Sequence, residues 1–522
     1  MSWRRLLSGP EKAHFWLVLL AMGWGQALVV LSVQILGPGL PEVSEDLDAS
    51  LSDVQWVLIV FGVTNASLVP LAGRLGDLFD RRTLFLVGAL LFTLASILGS
   101  RAFNVELLIA SRAAQAVGAS AILANSLAIA IDVSPPEKRA FAIGFLVMMI
   151  GAGVALALIL GGFLTTQFGW ESTFLVTAGF GATLLALALA ALPQASTPKE
   201  KGSIDWPGAA ILSAGLFSLL LAITKGQDWG WTSGRIVLLF VSAAPLALLF
   251  VARELMTSHP LVRLGLFTNR TFAISNAQAL LGFVPMGAFY ILFPFYLQGP
   301  RSYSAQETGL IMLGFPAGNT LGAIIAGRLG RASSSSVFIT ASLVAIAVGF
   351  LLMAGIEAES GIADLLWRMF ICGFGIGAFQ SANQNLVMSS VSMEQRGATS
   401  GILNMLQNVG INVGTAVSGV VLGTVVANQF TGLGDSLVTP GDFARLADQP
   451  EQRQALSDAF MDGVSRAFLA TLAFAALAIP LSLFHRRREI SEATASLAKV
   501  EPAGAILAPP IERPLPGQSG DL

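Results

Sequence analysis

The amino-acid sequence predicts an all-α integral membrane protein with fourteen transmembrane helices. Its composition, its long apolar runs and the charges of its loops all favour this fold class. Apolar residues make up 54% of the 522 residues and charged residues only 12%, whereas a soluble domain carries about 25% charged residues. A water-soluble chain of this composition would expose a wide apolar surface. Lipid is therefore the solvent that suits the chain.

The apolar runs have the length that a membrane requires. A helix needs about 20 apolar residues to cross the hydrocarbon core, and no charge occurs from Ala140 to Trp170 or from Thr271 to Pro300. The runs predict helices at 15–36, 54–75, 84–101, 106–131, 140–165, 172–192, 205–223, 235–253, 271–298, 305–327, 336–355, 363–391, 398–427 and 463–484.

Charges in the loops predict the orientation of the chain. Arg81, Arg82 and the arginines at 486–488 fall on one side of the predicted helices, and acidic stretches at 42–53 and 435–462 fall on the other. Lys and Arg accumulate in cytoplasmic loops. We therefore expect a multi-pass protein of the inner (plasma) membrane with both termini in the cytoplasm. The tail at 487–522 is rich in Pro, Ala, Glu and Ser and is predicted to be disordered.

Several function classes are disfavoured by what the sequence lacks. One cysteine, Cys372, and three histidines argue against a structural zinc cluster. The chain has no basic arm for nucleic acid, no phosphate-binding loop, and no nucleophile with a plausible base. We expect neither an enzyme nor an ATP-driven pump, and no cofactor. Movement of a small molecule across the bilayer is the predicted activity.

The loop after the second predicted helix carries the most specific motif. It runs from Gly73 to Arg82 and contains Asp77 and Arg81. The loop resembles the signature between the second and third helices of the major facilitator superfamily, with Asp80 in place of the usual glycine. The resemblance implies that Gly73, Asp77, Arg81 and Arg82 form a conformational latch between two halves of the protein. Gly73 would permit close helix contact, Asp77 would cap a neighbouring helix, and both arginines would pair with carboxylates across the cytoplasmic face.

A second motif places an arginine inside the membrane. The stretch from Arg112 to Gly118 contains Gln115 and resembles the family's fourth-helix motif, with Ala116 in place of a glycine. An arginine about 9 Å into a membrane helix costs at least about 2.5 kcal/mol unless it is paired or hydrated. We interpret Arg112 and Gln115 as pathway or coupling residues; snorkelling of Arg112 to the outer interface is the alternative.

The second half of the chain repeats the pattern more weakly. Gly327 to Arg331 follows the tenth predicted helix as the first motif follows the second, and Tyr296 to Gln298 resembles the fourteen-helix drug:proton antiporter subfamily. The resemblance implies two six-helix bundles related by a pseudo-two-fold axis, residues 1–192 and 271–486, with two inserted helices in 193–270. Substrate would bind between the bundles, and rocking of the bundles would alternate access.

Two positions depart from the subfamily. The fifth predicted helix keeps Gly153, Gly161 and Gly162 but lacks the proline that the antiporter motif carries in the stretch from Ala157 onward. In the first helix, the usual acidic residue falls on Ser32, and no acidic residue occurs between Glu11 and Glu42. A proton-coupled carrier needs a titrating group in its pathway. Glu171, at the outer start of the sixth predicted helix, is the carboxylate that we expect to approach Arg112.

Uncharged polar residues inside the predicted spans describe the candidate cavity. Buried amides need partners, so most should point into the bundles, although some will only bridge helices. The candidates for the substrate cavity are Gln34, Asn65, Gln380, Asn383, Asn404 and Gln407. Together they predict a neutral, amphipathic cavity with few fixed charges.

The sequence thus predicts a secondary transporter that exports a hydrophobic or amphipathic small molecule. By resemblance, protons supply the energy, and the bilayer is the other partner; no nucleic acid is expected. A lipid carrier or flippase is one alternative. A transporter-like sensor that binds ligand without cycling is another, and it fits the changes in the first and fifth helices.

Overall fold

The computed structural model describes residues 10–135, 138–192, 205–257, 260, 264–329, 335–391, 396–430, 440–446 and 448–499. These residues form α-helices joined by short loops and 3₁₀ turns. The helices are α1 (Pro10–Gln34), α2 (Leu40–Asp46), α3 (Leu51–Leu78), α4 (Arg81–Gly99), α5 (Val105–Asp132), α6 (Arg139–Phe168), α7 (Glu171–Ala191), α8 (Trp206–Trp229), α9 (Gly234–Met256), α10 (Arg270–Gly282), α11 (Val284–Gln298), α12 (Ala305–Met312), α13 (Gly314–Leu329), α14 (Ser335–Ala354), α15 (Ile362–Ser389), α16 (Arg396–Gln429), α17 (Pro440–Arg445) and α18 (Pro450–Lys499).

Fourteen stretches within the described residues are long and apolar enough to cross a membrane, which confirms the predicted fold class. Two spans predicted as single helices are interrupted. One breaks at Phe283 between α10 and α11, where Pro285 lies in the first turn of α11 and lacks a backbone N–H. The other breaks at Leu313 between α12 and α13.

The loops fall on two faces because successive spans run in opposite directions. We call the face with residues 79–80 and 133–135 the terminal face, since both ends of the described chain lie there. The opposite face, with loops 100–104 and 169–170, is the distal face.

Helices of the first and second halves pack mainly among themselves. In the first group, α4 packs on α5 and α7, and α1 packs on α6; in the second, α13 and α14 pack on α15, and α14 packs on α18. The core of the first group surrounds Phe85 and Phe92. A larger apolar cluster joins the two groups, because it includes Leu158 and Trp170 of the first and Phe289 of the second.

Helices α8 and α9 lie beside these groups. Helix α8 covers the line where α3 meets α16, and its Lys225 Nζ binds Asp53 Oδ1 at 2.5 Å and Ser52 Oγ at 2.7 Å. Helix α9 packs on α8, and Ile236 and Glu254 are its buried residues. Arg253 Nε binds Asp205 Oδ1 at 3.0 Å, which joins α9 to the start of α8 near the terminal face.

The last helix is longer than predicted. The sequence predicted a span at 463–484 and disorder from 487, but α18 extends from Pro450 to Lys499. Its last residues are mostly Glu, Ala, Leu and Lys, which favour helix, whereas the prolines that suggested disorder come later in the tail. The rest of that tail, 500–522, lies outside the described residues.

Candidate functional site

A buried arginine occupies the interior of the first helix group. Asn104 caps α5 by accepting a hydrogen bond from Leu107 N at 2.9 Å, and Arg112 follows two turns later with 1% of its surface exposed. Its Nε donates to the Val57 carbonyl at 3.2 Å, and its Nη1 donates to the Ser32 carbonyl at 3.0 Å. The guanidinium therefore ties α5 to α3 and α1.

Further neutral groups complete this network. Arg112 Nη1 also donates to Gln115 Oε1 at 2.9 Å, and Gln115 Nε2 donates to Ser96 Oγ at 2.7 Å. The guanidinium carbon lies 4.6 Å from the centre of the Phe61 ring, close enough for a cation–π interaction. Nη2 of Arg112 has no hydrogen-bond partner. The space beside the guanidinium is too small for a water molecule, and it is lined by Ser32, Ile35, Leu36, Arg112, Gln115, Thr173, Phe174 and Thr177.

The predicted approach of Glu171 to Arg112 is not found. All the hydrogen bonds of Arg112 go to neutral acceptors. Glu171 lies instead in the first turn of α7, where the helix dipole favours a carboxylate. A Cβ added to Gly169 would lie 2.7 Å from Glu171 Oε2 and 3.8 Å from Glu42 Oε1. Both carboxylates therefore lie next to loop 169–170 on the distal face.

The helix cap in the signature loop is Asp80. Its carboxylate accepts from Arg82 N at 3.4 Å and from Thr83 N at 3.0 Å, and it also accepts from the Thr83 hydroxyl at 2.8 Å. The sequence assigned a cap to Asp77, whose side chain lies outside the described part of the chain. An aspartate three residues before a threonine, directly ahead of an apolar run, is the pattern that could have identified Asp80.

Close helix contact in this motif occurs at Gly76 and not at Gly73. A Cβ added to Gly73 would meet Ala124 Cβ at 3.9 Å, an ordinary contact, whereas one added to Gly76 would overlap the Asn125 side-chain oxygen. The position predicted for the close contact was therefore wrong by one helical turn.

One ion pair of this motif lies within the first helix group. Arg81 Nη1 binds Asp132 Oδ2 at 2.6 Å and so joins α4 to α5. Pairing of both arginines with carboxylates across the cytoplasmic face stays a prediction. Arg82 takes part in the cap through its backbone N–H, while its buried side-chain Nε has no partner.

The glycines of α6 permit two close helix contacts. A Cβ on Gly153 would lie 2.6 Å from the Ala27 carbonyl oxygen, and one on Gly161 would overlap the Ile35 carbonyl. These two glycines therefore pack α6 directly on the backbone of α1 and of Ile35, the residue that follows it.

Gly162, one residue further, serves the contact between the two helix groups. A Cβ added there would overlap the Ala305 carbonyl oxygen of α12. Gly309 makes the reciprocal contact, because a Cβ there would overlap the Leu158 carbonyl of α6. Small residues on both helices thus bring two backbones together near the distal face.

Polar contacts reinforce this junction. Gln298 Nε2 donates to the Pro38 carbonyl at 2.6 Å, and Gln306 N donates to Thr166 Oγ1 at 2.9 Å. We call the contacts of Gly162 with α12, of Gly309 with α6, and these two hydrogen bonds the distal seal. Together they hold the first and second groups in contact at the distal face.

Contacts of two of the six candidate cavity residues are described, and they lie on different helices. Gln34 faces the Tyr290 hydroxyl of the second group, whereas Asn383 is buried within the second group, where its Nδ2 donates to the Ser275 carbonyl at 3.1 Å. Asn383 therefore bridges helices. The other four differ in burial: Asn65 and Gln407 are buried, Gln380 is half-buried, and Asn404 is exposed.

A family model described as "Major Facilitator Superfamily" matches residues 22–415. The chain belongs to the Major Facilitator Superfamily. It is a multi-pass membrane transporter of this superfamily, as the motif at Gly73–Arg82 indicated.

Relatives in this superfamily align over most of the chain. The puromycin resistance protein pur8 of Streptomyces alboniger is 29% identical over 502 residues, or 95% of this chain and 96% of the relative. The tetracenomycin C resistance and export protein of Streptomyces glaucescens is 27% identical over 500 residues, or 91% and 93%. The multidrug resistance protein Stp of Mycobacterium tuberculosis is 29% identical over 450 residues, or 86% and 82%.

Solved structures share the superfamily fold. A bacterial homologue of the human lysosomal transporter Spinster, in an inward-facing and unoccupied conformation, superimposes with a TM-score of 0.65 at 17% sequence identity. The match covers 92% of this chain and 98% of the other. The nucleoside transporter NupG matches with a TM-score of 0.59 at 15% identity, over 91% and 98%.

Proposed function

We propose that this superfamily member is a secondary active exporter of hydrophobic or amphipathic small molecules, driven by proton exchange. The distal seal carries the proposal, because close backbone contacts at Gly162 and Gly309 and two hydrogen bonds join the two helix groups there. Small residues keep these contacts short, so a modest separation of α6 from α12 would break them. The relatives named for drug resistance and export support the direction and the substrate class.

Alternating access follows if the two helix groups move relative to each other as rigid bodies. We assign residues 1–192 and 271–486 to two six-helix bundles and 193–270 to the inserted pair. Opening of the distal seal would separate Gly162 from α12 and Gly309 from α6. The ion pair between Lys225 and Asp53 would keep α8 with the first bundle during that motion.

The terminal face is the cytoplasmic face in this proposal. Arg81 and Lys138 lie on it, and cytoplasmic loops are enriched in Lys and Arg. Asp46 and Glu171 lie on the distal face. The protein then lies in the inner membrane with both termini in the cytoplasm, and its distal seal lies on the extracytoplasmic side.

Glu171 is the carboxylate that we assign to proton exchange, together with Glu42. Span α1 carries no acid after Glu11, and the two carboxylates flank Gly169 at the entrance of the distal seal. Opening of the seal would change the exposure of both carboxylates to water. This change of exposure is the step at which we propose that the proton gradient acts on the conformational change.

Transport in proteoliposomes tests this function. Efflux of a lipophilic reporter dye would be followed under an imposed pH gradient for the wild type, Arg112→Ala and Glu171→Gln. We expect gradient-driven movement in the wild type and its loss in both variants. Movement that is indifferent to the gradient would rule out proton coupling. Dye binding without movement would favour a lipid carrier or a sensor instead.

A further inference from the structure

The two helix groups also meet where α3 packs against α16, and two buried amides lie in this contact. Gln55 of α3 is 1% exposed, and Asn412 of α16 is 5% exposed. A Cβ added to Gly419 of α16 would overlap the Gln55 amide, and one added to Gly62 of α3 would overlap the Asn412 amide. Each amide therefore fills the space that a glycine leaves on the opposite group. We call these two reciprocal contacts the amide contact.

The spacing of the four residues is the same on both helices. Gln55 and Gly62 are seven residues apart on α3, and Asn412 and Gly419 are seven residues apart on α16. Seven residues make about two helical turns, so the amide and the glycine of each helix share one face. Helix α3 begins at the distal face and α16 at the terminal face. Because the helices run in opposite directions, each amide meets the glycine of the other helix.

Both amides keep a hydrogen-bond donor that the chain does not use. Gln55 Nε2 and Asn412 Nδ2 are buried without a hydrogen-bond partner. Such a donor is unfavourable, because it has lost its bond to water and gained no acceptor. Trp56 Nε1 also lacks a partner, but its ring packs on Phe217 of α8. Lys225 joins α8 to α3, so the surroundings of that ring need not change when the groups separate.

Helix α8 separates the amide contact from the lipid, because it covers the line where α3 meets α16. Leu220 of α8 is buried in one apolar cluster with Trp56 of α3 and Ala416 of α16. Separation of the two groups at the distal face would therefore bring water to the amides, and not hydrocarbon. Water would supply the acceptors that both donors lack.

Within its own group, α16 is held by contacts of a different kind. A Cβ added to Gly414 would overlap the Val284 carbonyl oxygen, and one added to Gly287 of α11 would overlap the Ile411 carbonyl oxygen. Thr415 Oγ1 also donates to the Gly287 carbonyl at 3.4 Å. These contacts join the backbones of α16 and α11 directly. Helix α16 should therefore stay with the second group when its contact with α3 opens.

We propose that Gln55 and Asn412 destabilise the closed arrangement of the distal face and so determine how readily it opens. The proposal rests on alternating access in the proposed exporter and assigns the balance between the two states to two side chains. The backbone contacts of the distal seal hold the groups together. The amide contact opposes them, because its two donors gain acceptors only when the groups separate.

Apolar substitutions of similar shape test the proposal. Asn412→Leu and Gln55→Met remove the donors and keep bulk beside the glycines. The full-length protein in lipid nanodiscs, without substrate, would carry a cysteine at Gln306 of the distal seal. Its reaction with a membrane-impermeant maleimide would be timed, and labelling of the protein without the added cysteine would be subtracted. We expect each substitution to slow labelling at least about fivefold and to raise the melting temperature.

Asn383→Leu is the matched control. It also removes a buried amide, but Asn383 Nδ2 donates to the Ser275 carbonyl within the second group. This variant should therefore lower the melting temperature and leave the labelling rate unchanged. The two test substitutions lie on different helix groups, so misfolding of one variant leaves the other to decide.

Two outcomes would overturn the proposal. The first is a folded Asn412→Leu or Gln55→Met protein that is labelled as fast as the wild type. The second is equal slowing by Asn383→Leu, because the effect would then follow from the loss of any buried amide. Labelling needs neither substrate nor a pH gradient, so failure of reporter efflux would refute the exporter function separately.

Discussion

The polar interiors of the two helix groups differ in charge. The first group buries a cation, Arg112, among neutral acceptors. The second buries amides: Asn383 donates to the Ser275 carbonyl at 3.1 Å, and Gln278 donates to the Ala478 carbonyl at 3.2 Å. Two halves of similar topology therefore use their buried polar groups differently.

Both groups leave buried polar atoms without partners. Unused donors are Nη2 of Arg112 in the first group and Nδ2 of Asn412 in the second, and the side-chain oxygens of Asn276, Gln278 and Asn383 are unused acceptors in the second. Amides that join helices stabilise a fixed arrangement, while a buried cation among neutral acceptors is costly to keep. We infer that the cation is retained for transport and the bridging amides for rigidity.

Replacement of Arg112 should have the largest effect on transport. In Arg112→Met we expect reporter efflux to fall at least about a hundredfold, or about 2.7 kcal/mol. The melting temperature should not fall, because an apolar side chain replaces a buried charge without a counter-charge. Efflux and thermal unfolding would be measured on the same preparation. A loss of several degrees would mean that the arginine is structural.

Substitutions on α6 should have the next largest effect. Gly162→Ala forces a Cβ against the α12 backbone, whereas a Cβ on Gly151 meets nothing within 4 Å. Overpacking costs about 1–3 kcal/mol, so Gly162→Ala should shift the protein toward a distal-open state by about tenfold or more. Gly151→Ala is the matched control and should resemble the wild type.

The shift can be measured by cysteine labelling. A cysteine introduced at Gln306 would be exposed to a membrane-impermeant maleimide in each background. Faster labelling in Gly162→Ala than in Gly151→Ala is the expected result. Equal labelling rates would mean that the distal seal does not limit opening.

Amides of the second group should affect stability more than selectivity. Asn383→Leu removes the hydrogen bond to Ser275, and such bonds between membrane helices contribute about 0.6 kcal/mol and at most about 1.7. We expect a loss of unfolding free energy in that range and unchanged reporter efflux. Reduced efflux would mean that Asn383 takes part in transport.

The exposed ion pair on the terminal face should have the smallest effect. The side chains of Arg81 and Asp132 are 32% and 54% exposed, and surface ion pairs contribute at most about 1 kcal/mol. A double-mutant cycle with Arg81→Gln and Asp132→Asn should give a coupling energy below about 1 kcal/mol. A larger value would show that charge at this face matters as much as charge in the interior.

Helix length and hydropathy were sufficient to predict the fourteen spans, because lipid imposes both on any spanning helix. The contacts of individual side chains were harder to predict. Gly73 and Gly76 lie three residues apart, so they share one side of α3, and only the position of α5 shows which of them is crowded. Glu171 was expected beside Arg112, but the direction of the chain after Gly169 places the Glu171 carboxylate next to loop 169–170.

The candidate site was predicted in part. Arg112 stood out because a charge inside an apolar run is unusual, and its bond to Gln115 agrees with their spacing. Whether Nη2 finds a partner depends on the positions of α1, α3 and α5 together, so no sequence pattern predicts it. Asp80 was noted only as a departure from the family motif, although its spacing to Thr83 is a capping pattern.

Helix α9 makes the inserted pair sensitive to the thickness of the membrane. Its uncharged stretch between Arg235 and Arg253 extends only about 26 Å, less than the roughly 30 Å of a typical hydrocarbon core, so α9 and the surrounding lipid must adjust to each other. Arg253 anchors it to Asp205, and α8 carries any change of tilt to Lys225 and the start of α3. We therefore expect efflux to vary with lipid acyl-chain length, and Lys225→Met to flatten that dependence, so that the annular lipid acts as a regulator of this transporter.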